Sequence, residues 1–435
     1  MLNQDHFKNK KITIVGFARS GLACANLLSE LGAQVSITDN QDNALTRRNC
    51  AQLKSKDIKI ELGRHTREFI KDRDIVVISP GVADSASAIV WAKESGIPVI
   101  SEIEAASILC PATIIAITGT NGKTTVTTLI GKVLEARGEK VFVCGNIGKP
   151  FSGEVKDIKR SDFVSLEISS FQLEHIEKFK PKISVILNLS RNHLDRYSNM
   201  QEYLEAKKRI FMNQDKEDYL VLNFEDPLIK ELGKETKANV AYFHKDKDLN
   251  PNESAVMAVS SILGIDKDLV LRVFKDFRGV EHRLEQVAEI NGIRFINDSK
   301  ATTVDATIWA LLNSSNPVIL IAGGREKGND YSLMLDLAKS RVKRAVLIGE
   351  SKEKIRHAFS GLFPIDEADN LEDAVNKAFS QAKSGDSILL SPMCKSFDMF
   401  RDYEERGMVF KSAVRALILD KQPNTNDLQV KWYVI

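Results

Sequence analysis

The 435-residue sequence has little cysteine, almost no net charge and no long apolar run. Its five cysteines are scattered and show no Cys-x-x-Cys spacing, which argues against a disulfide framework or a zinc site and predicts buried thiols in the reducing cytoplasm. With 61 basic and 59 acidic residues, no overall field attracts nucleic acid or an anionic membrane. We also expect no signal peptide and no membrane span, because no apolar stretch is long enough to cross a bilayer.

What is present is the length and composition of a multidomain globular protein. The apolar fraction is 43% and the charged fraction 28%, and the chain is longer than one hydrophobic core usually serves. We predict an α/β protein of three domains. Residues 1–109 would form a Rossmann-like domain, residues 110–280 a central P-loop ATPase-like parallel sheet, and residues 281–435 a second Rossmann-like domain.

The most informative segment is Thr118-Gly119-Thr120-Asn121-Gly122-Lys123-Thr124-Thr125. It follows an apolar run and precedes apolar residues at helical spacing, a pattern that predicts a strand, a glycine turn and a helix. Such a turn binds phosphate through its backbone N–H groups and Lys123, and Thr124 would offer its hydroxyl to magnesium. The first glycine of the strict pattern is replaced by Ile117, which implies a shorter loop. An ordinary strand-to-helix turn is the alternative, although two glycines, a lysine and two threonines disfavour it.

The N-terminal segment opens with a weaker signal. A strand at Lys11 to Gly16, a helix from Ser20 and a strand ending at Asp39 open a doubly wound unit. The turn between the first strand and the helix has alanine where a dinucleotide fingerprint has its second glycine. It could hold a nucleotide diphosphate or be only a tight turn, and the residues leave both possibilities open. A later strand ends in Pro80-Gly81, at the edge where open sheets bind ligands.

Two strands of the central domain end in polar residues. Glu167 terminates a strand beside the phosphate loop, where an acid usually holds magnesium. The strand predicted for Ile183 to Leu189 leads to His193. A lone histidine there would normally belong to a polar turn, but Lys123 and Glu167 lie at the same predicted sheet edge and favour a shared site.

Four segments, 118–125, 166–174, 188–197 and 203–211, together resemble the Mur ligases, and the block 391–407 resembles the branch of that family that adds D-glutamate. The resemblance implies an ATP-dependent ligase of peptidoglycan synthesis. It would join D-glutamate to UDP-N-acetylmuramoyl-L-alanine through an acyl phosphate, with ATP and Mg2+ as cofactors. The implied partners are small molecules, with no nucleic acid and no membrane, and we expect a monomer.

The resemblance also implies individual roles. The residues assigned to ATP are Gly119, Thr120, Asn121, Gly122, Lys123, Thr124, Thr125, Arg283 and Asp298. Those assigned to the UDP substrate are Arg19, Ser20, Asp39, Asn40, Gly81, Asn146 and His193. Those assigned to D-glutamate are Thr302, Lys327, Ser396, Phe397 and Tyr403. The metal set is Thr124, Glu167, His193 and Lys207, and the catalytic set is Lys123, Glu167, His193, Lys207 and Lys300.

Three of these residues have another interpretation when the local sequence is considered alone. The resemblance implies that Lys207 carries a carbamate made from CO2, whereas its local pattern predicts a surface lysine on a helix. Asp298 and Lys300 could likewise belong to a strand end with an Asx turn. Acid, lysine and threonine in one predicted loop favour the functional interpretation.

One region departs from the family pattern. Between Tyr242 and Ala255 the chain is too short for the strands that the family usually inserts, and Glu253 occupies the position of an ATP-contacting asparagine. We therefore predict a trimmed middle domain. Two other functions stay open: a related ligase with another amino acid or an acceptor such as folate, and a nucleotide-binding module that no longer catalyses.

Overall fold

The computed structural model describes residues 4–190, 196–277, 279–315, 317–326, 328–419 and 429–433. The chain divides into two compact units, residues 1–277 and residues 278–435. Among the described residues, no helix combines the length and apolar content needed to cross a membrane.

The first sheet of the first unit is wholly parallel. Its strands are β1 (Lys11–Val15), β2 (Gln34–Asp39), β3 (Lys59–Leu62), β4 (Ile75–Ile78) and β5 (Val99–Ser101). Its helices are α1 (Arg19–Glu30), α2 (Ala44–Cys50), α3 (Ser87–Glu94) and α4 (Glu102–Leu109). The strand order is β3-β2-β1-β4-β5, so the order reverses between β1 and β4. Open α/β sheets bind ligands at such a reversal, beyond the carboxyl ends of the strands.

The second sheet of this unit is also parallel. Its strands are β6 (Thr113–Thr118), β7 (Val141–Gly145), β8 (Phe163–Glu167), β9 (Ile183–Ile186), β10 (Tyr219–Asn223) and β11 (Asn239–Phe243). Its helices are α5 (Lys123–Arg137), α6 (Phe151–Glu154), α7 (Ser170–Leu173), α8 (Met200–Lys208), α9 (Pro227–Glu231), α10 (Pro251–Ile262) and α11 (Lys267–Asp276). In the order β11-β10-β9-β6-β8-β7, strand β6 pairs with β9 and β8. The carboxyl ends of these three strands therefore lie together.

The strand sequences explain why both sheets are covered on both faces. Strands β1, β4, β6 and β9 are apolar and buried along nearly their whole length, which is typical of parallel sheets between helical layers. One continuous cluster of buried side chains joins the helices of the two sheets, with Leu28, Ile103 and Phe151 among its members. The first unit thus has a shared core.

The second unit contains a mixed sheet. Its strands are β12 (Glu285–Ile290), β13 (Ile293–Asn297), β14 (Val318–Gly323), β15 (Val342–Ile348), β16 (Ile365–Glu367), β17 (Ser387–Leu390) and β18 (Val430–Trp432). Its helices are α12 (Val304–Asn313), α13 (Leu335–Arg341), α14 (Lys352–Ala358), α15 (Leu371–Gln381) and α16 (Tyr403–Leu419). The order is β16-β15-β14-β17-β13-β12-β18, and β12 is antiparallel to both neighbours.

The predicted α/β class with three sheets is confirmed, and the differences are local. The strand predicted for Ile183 to Leu189 ends at Ile186, because the following backbone turns to meet the phosphate loop. The antiparallel edge formed by β12 was not anticipated. The described residues 244–250, between β11 and α10, form no strand, as the shortness of this region predicts.

Candidate functional site

The phosphate loop joins β6 to α5 and is held in place from β9. Gly119 and Gly122 have φ values of 155° and 81°, which residues with a Cβ atom rarely adopt. Asn188, which follows β9, accepts hydrogen bonds through its side-chain oxygen from the backbone N–H groups of Thr120 (3.1 Å) and Asn121 (2.8 Å). The loop is therefore fixed by an amide side chain as well as by its own turn.

Neighbouring side chains also leave little room for a Cβ atom at these two glycines. A Cβ built on Gly122 would clash with the side-chain oxygen of Asn252, at the start of α10. A Cβ on Gly119 would lie 3.0 Å from the Cβ of Leu187. The glycines thus allow two neighbouring elements to approach the loop closely.

A buried carboxylate lies beside this loop, at the end of β8. Glu167 is fully buried, and its two oxygens accept hydrogen bonds from the hydroxyl of Thr124 (2.7 Å) and the side-chain amide of Asn146 (2.8 Å). The three residues come from α5, β8 and the loop after β7. A carboxylate and a hydroxyl this close offer hard oxygen ligands of the kind that Mg2+ prefers.

Two lysines contact the loop backbone. Lys123 donates to the carbonyl oxygens of Gly119 (2.9 Å) and Thr120 (2.8 Å). Lys207 donates to the carbonyl oxygen of Gly119 (3.0 Å) and the hydroxyl of Thr118 (3.3 Å), and its nitrogen lies 4.5 Å from the ring centre of Tyr203. The prediction of a surface lysine at Lys207, drawn from the local pattern, is wrong, since only 1% of the residue is exposed.

Burial changes the acid–base chemistry of Lys207. Desolvation, reinforced by the positive charge of Lys123, holds the pKa of the Lys207 amine well below its ordinary value. The neutral form of this amine is therefore more accessible than it is for an exposed lysine. A neutral amine has a free lone pair, which an ammonium lacks, and can act as a nucleophile.

At the first sheet, the turns after β1 and β4 touch each other. The hydroxyl of Ser79 donates to the carbonyl oxygen of Gly16 at 2.8 Å, and a Cβ on Gly21 would overlap the same carbonyl. Asp39, at the end of β2, accepts from the N–H groups of Phe17 (2.5 Å) and Gln41 (2.7 Å). Asp39 therefore holds the turn that joins β1 to α1.

Four other predicted UDP-substrate residues lie around these turns. Arg19 and Ser20 begin α1, and Asn40 is exposed directly after β2. Gly81 is exposed, and a Cβ built there would meet nothing within 4 Å. The structure thus gathers these residues at the reversal of strand order between β1 and β4. His193 lies outside the described residues.

In the second unit, Asp298 is a nearly buried acid just beyond β13. It accepts hydrogen bonds from the hydroxyl of Ser391 (2.9 Å) and the N–H of Leu284 (3.2 Å). Burial raises the pKa of Asp298 to about 7, and these two hydrogen bonds, together with the positive charges of Arg283 and Arg406, only partly oppose the effect. The carboxyl group therefore changes charge near neutral pH.

The predicted ATP residue Arg283 lies in a strained segment. Its neighbours His282 and Leu284 have φ values of 63° and 42°, in the left-handed region. The segment is anchored through Glu285, which accepts from the N–H of His282 at 2.9 Å and from the amine of Lys411 at 3.1 Å. Such strain persists only where surrounding contacts impose it, and it frequently marks functional segments.

The predicted D-glutamate residues of this unit follow adjacent strands. The nitrogen of Lys300 lies 5.3 Å from the ring centre of Tyr403. Thr302 is half-buried after β13, Ser396 is buried after β17, and Phe397 is 51% exposed. Because β13 and β17 pair in parallel, their carboxyl ends bring these loops together. Lys327 lies outside the described residues.

Three family models match the chain in succession. They are the MurD-like N-terminal domain of Mur ligases over residues 10–101, the Mur ligase middle domain over residues 117–264 and the Mur ligase glutamate ligase domain over residues 282–394. A curated relative from Thermoanaerobacter pseudethanolicus, named UDP-N-acetylmuramoylalanine–D-glutamate ligase, is 39% identical and covers 94% of this chain and 99% of its own. The chain belongs to the Mur ligase family. A ligase of the same name from Geotalea uraniireducens is 41% identical, covering 94% of this chain and 98% of its own.

Solved structures of other Mur ligases share the fold. The ADP complex of MurF from Thermotoga maritima superimposes with a TM-score of 0.59 at 16% identity, covering 96% of this chain and 98% of its own. The UDP-N-acetylmuramate–alanine ligase MurC of the same organism gives 0.58 at 20% identity, covering 94% and 100%.

Three residues of this Mur ligase were not assigned roles from the sequence. Asn188 accepts hydrogen bonds from the phosphate loop, and the side chain of Asn252 occupies the space that a Cβ on Gly122 would need. Arg406 is 1% exposed and donates to the hydroxyl (3.0 Å) and carbonyl (2.8 Å) of Ser299 and to the carbonyl of Cys394 (3.1 Å). It thus ties the loop after β13 to the loop after β17. An arginine on a helix gives no sequence signal of such burial, although an asparagine directly after a strand could have indicated Asn188.

Proposed function

We propose that this Mur ligase joins D-glutamate to UDP-N-acetylmuramoyl-L-alanine at the expense of ATP, as a step of peptidoglycan synthesis. The observation that carries the proposal is near full-length identity of about 40% to ligases of that name, together with Lys123, Thr124 and Glu167 at one phosphate loop. The segments that match the family models extend across both units of the chain.

In the proposed site, the phosphate loop binds ATP. Its N–H groups and the N-terminus of α5 would hold the phosphates, with Lys123 supplying a full positive charge. Glu167 and Thr124 fit a magnesium ion, because a buried carboxylate and a hydroxyl 2.7 Å apart are an oxygen pair that such an ion accepts. When bound, the ion would neutralise charge on the phosphoryl oxygens.

We further propose that Lys207 is carbamylated. The lone pair of its neutral amine would attack CO2, forming an N–C bond and releasing one proton. The low pKa of the amine supports this step, since an ammonium cannot react. The product is an anion, which would suit a position beside Lys123 and a metal ion better than a second positive charge.

The proposed reaction has two steps. A carboxylate oxygen of the alanine residue attacks the γ-phosphorus of ATP, and ADP leaves, which gives an acyl phosphate. The amine of D-glutamate then attacks the carbonyl carbon, phosphate leaves, and the nitrogen loses a proton. Positioning and charge stabilisation would supply most of the acceleration.

The substrate assignments complete the proposal. Arg19, Ser20, Asp39, Asn40, Gly81, Asn146 and His193 would hold the sugar nucleotide. Thr302, Lys327, Ser396, Phe397 and Tyr403 would hold D-glutamate, with Lys300 at the reacting groups and Arg283 and Asp298 at ATP. A lysine and hydroxyl groups suit an amino acid with two carboxylates.

We also propose three domains at 1–109, 110–280 and 281–435, and a monomer that acts on small molecules in the cytoplasm, where ATP and UDP-sugars are available. Sedimentation analysis would test the monomer, and a dimer at micromolar concentration would contradict it. Limited proteolysis would test the boundaries.

The decisive experiment is phosphate release with ATP, UDP-N-acetylmuramoyl-L-alanine and a panel of amino acids. We expect release that requires D-glutamate, with L-glutamate, L-lysine and D-alanine inactive. Release with another amino acid would indicate a related ligase, and no release with any amino acid would refute the proposed reaction.

A further inference from the structure

Arg196 lies where the two sheets of the first unit meet. One guanidinium nitrogen donates to the carbonyl oxygen of Pro80 at 3.4 Å, and another contacts the carboxylate of Glu174 at 2.7 Å. The guanidinium carbon lies 4.1 Å from the ring centre of Phe171. Pro80 follows β4 of the first sheet, whereas Phe171 lies in α7 of the second sheet's layer and Glu174 directly follows that helix. A single planar side chain therefore links the two.

The turn that Arg196 contacts belongs to the proposed sugar-nucleotide site. Pro80 and Gly81 follow β4, and the preceding Ser79 donates to the carbonyl oxygen of Gly16. A Cβ on Gly16 would also clash with the side chain of Val82. The turn is thus packed on the β1–α1 turn through Ser79 and Val82 and is contacted by Arg196 through Pro80.

On its other side Arg196 connects to the phosphate loop. Glu174 also accepts a hydrogen bond from the hydroxyl of Tyr197, whose ring centre lies 5.2 Å from that of Tyr203. The hydroxyl of Tyr203 is 3.4 Å from that of Thr120 in the loop, and its ring lies below the amine of Lys207. A continuous series of contacts therefore runs from Pro80 to the loop and to Lys207.

Other contacts already hold the two sheets together. His175 is 2.7 Å from the carboxylate of Asp84 through its ring nitrogen, and its carbonyl oxygen accepts from the N–H of Ser101 at 2.7 Å. Glu104 accepts from the N–H groups of Lys178 (2.7 Å) and Phe179 (3.0 Å). Adhesion between the sheets therefore does not depend on Arg196 alone.

We propose that Arg196 is a positioning residue for the ligase reaction. It sets the Pro80–Gly81 turn relative to the phosphate loop, so that a sugar nucleotide bound at the turn presents its carboxylate to ATP. This inference rests on the proposed function. A displacement of about 1 Å at reacting atoms can cost on the order of 100-fold in rate, so one contact at this junction matters. Lysine cannot replace it fully, because only a planar guanidinium can stack on Phe171 while its two terminal nitrogens donate to Pro80 and to Glu174.

The test compares Arg196→Ala and Arg196→Lys with the wild-type enzyme in steady-state kinetics and calorimetry. We expect kcat/KM for the sugar nucleotide to fall by about tenfold or more in Arg196→Ala and by less in Arg196→Lys. The KM values for ATP and D-glutamate should stay within about twofold. A purely structural residue would not separate the substrates in this way.

Arg137→Ala is the matched control. Arg137 has the same kinds of partner, since it pairs with Glu139 at 2.9 Å, donates to the carbonyl of Leu263 at 3.0 Å and lies over the ring of Phe163 at 5.5 Å. All of these partners belong to the second sheet and its helices. We expect this variant to lose stability without a selective change in kcat/KM for the sugar nucleotide.

Calorimetric titration separates the two proposals. The positioning role alone would be overturned if wild-type enzyme binds UDP-N-acetylmuramoyl-L-alanine and turns it over, and Arg196→Ala shows the same affinity and the same turnover. The same conclusion follows if Arg196→Ala weakens ADP and sugar-nucleotide binding equally, or if Arg137→Ala behaves identically. Wild-type enzyme that does not bind the sugar nucleotide would overturn both proposals.

Discussion

Lys123 and Lys207 donate to the same acceptor, the carbonyl oxygen of Gly119, at 2.9 and 3.0 Å. Two ammonium groups that share one oxygen repel each other, and a buried site strengthens this repulsion. Lys207 is the more buried of the two, so it is the one whose charged form is disfavoured. The two lysines therefore differ in environment: burial and the charge of Lys123 disfavour the ammonium form of Lys207, whereas Lys123 is only partly buried.

The first prediction concerns Lys207. Lys207→Ala should lower kcat by about 100-fold or more, because the carbamate that would orient the metal site cannot form. Short carboxylic acids such as formate or acetate should restore part of the activity by supplying the missing anion. Phosphate release with and without these acids measures both effects.

Lys208→Ala is the matched control for this experiment. Lys208 is the next residue on α8, but it forms ion pairs with Glu205 at 3.1 Å and Glu235 at 2.5 Å instead of contacting the loop. Its variant should remain active and insensitive to added acids. Full activity of Lys207→Ala without acids would rule out the carbamate.

The second prediction concerns magnesium. Glu167→Gln should raise the Mg2+ concentration that gives half-maximal activity and lower kcat by about 100-fold. The amide would lose the negative charge and could no longer accept from both Thr124 and Asn146. A magnesium titration of phosphate release measures the shift. Glu154→Gln, which removes an ion pair with Lys149, should titrate like wild type; an unshifted titration of Glu167→Gln would contradict the assignment.

The third prediction compares the two glycines that flank α5. Gly122 and Gly138 precede and follow the helix with φ values of 81° and 94°, so alanine strains the backbone at either position, by roughly 1 kcal/mol. Only at Gly122 would the new Cβ meet another residue, Asn252, whereas Gly138 has nothing within 4 Å. Gly122→Ala should therefore raise the KM for ATP markedly, and Gly138→Ala should reduce only the melting temperature. Equal ATP kinetics in the two variants would contradict a binding role for the loop.

The fourth prediction concerns pH. Burial raises the pKa of Asp298 from its ordinary value to about 7, so between about pH 4 and pH 7 the folded chain holds a proton that the unfolded chain has lost. Binding of this proton adds to the free energy of unfolding, and that contribution is lost as the pH rises through this window. The asparagine side chain of Asp298→Asn is neutral at every pH. The melting temperature of this variant minus that of wild type should therefore increase from pH 5 to pH 8. A difference that does not change with pH would show that the carboxyl group is not perturbed.

Much of the first unit could be predicted from local patterns. The run before Gly119, the glycine turn and the apolar periodicity after it predicted β6, the loop and α5. Phe163–Glu167 also forms a strand with its acid at the end, as predicted. Each of these features depends on residues that are adjacent in the chain. The predicted substrate and catalytic roles stay predictions until the experiments above are done.

Other features depended on contacts between distant segments. Lys207 on a polar helix predicts exposure, but packing of α8 beside the phosphate loop buries it. Arg406 likewise lies on a helix that begins with acids, and its contacts are with Ser299 and Cys394. Nothing near either residue in the sequence indicates which loops will surround it.

The sequence by itself determined the α/β class, the phosphate loop and the acid at the end of β8, because strand periodicity, glycine conformations and capping act over a few residues. Only the tertiary structure decided the acid–base character of Lys207 and Asp298, the burial of Arg406 and the link from Pro80 through Arg196 to Glu174. These properties arise from desolvation and from contacts between strands and helices that are far apart in the chain. The energy of a charge depends on everything that surrounds it, and the fold alone defines those surroundings.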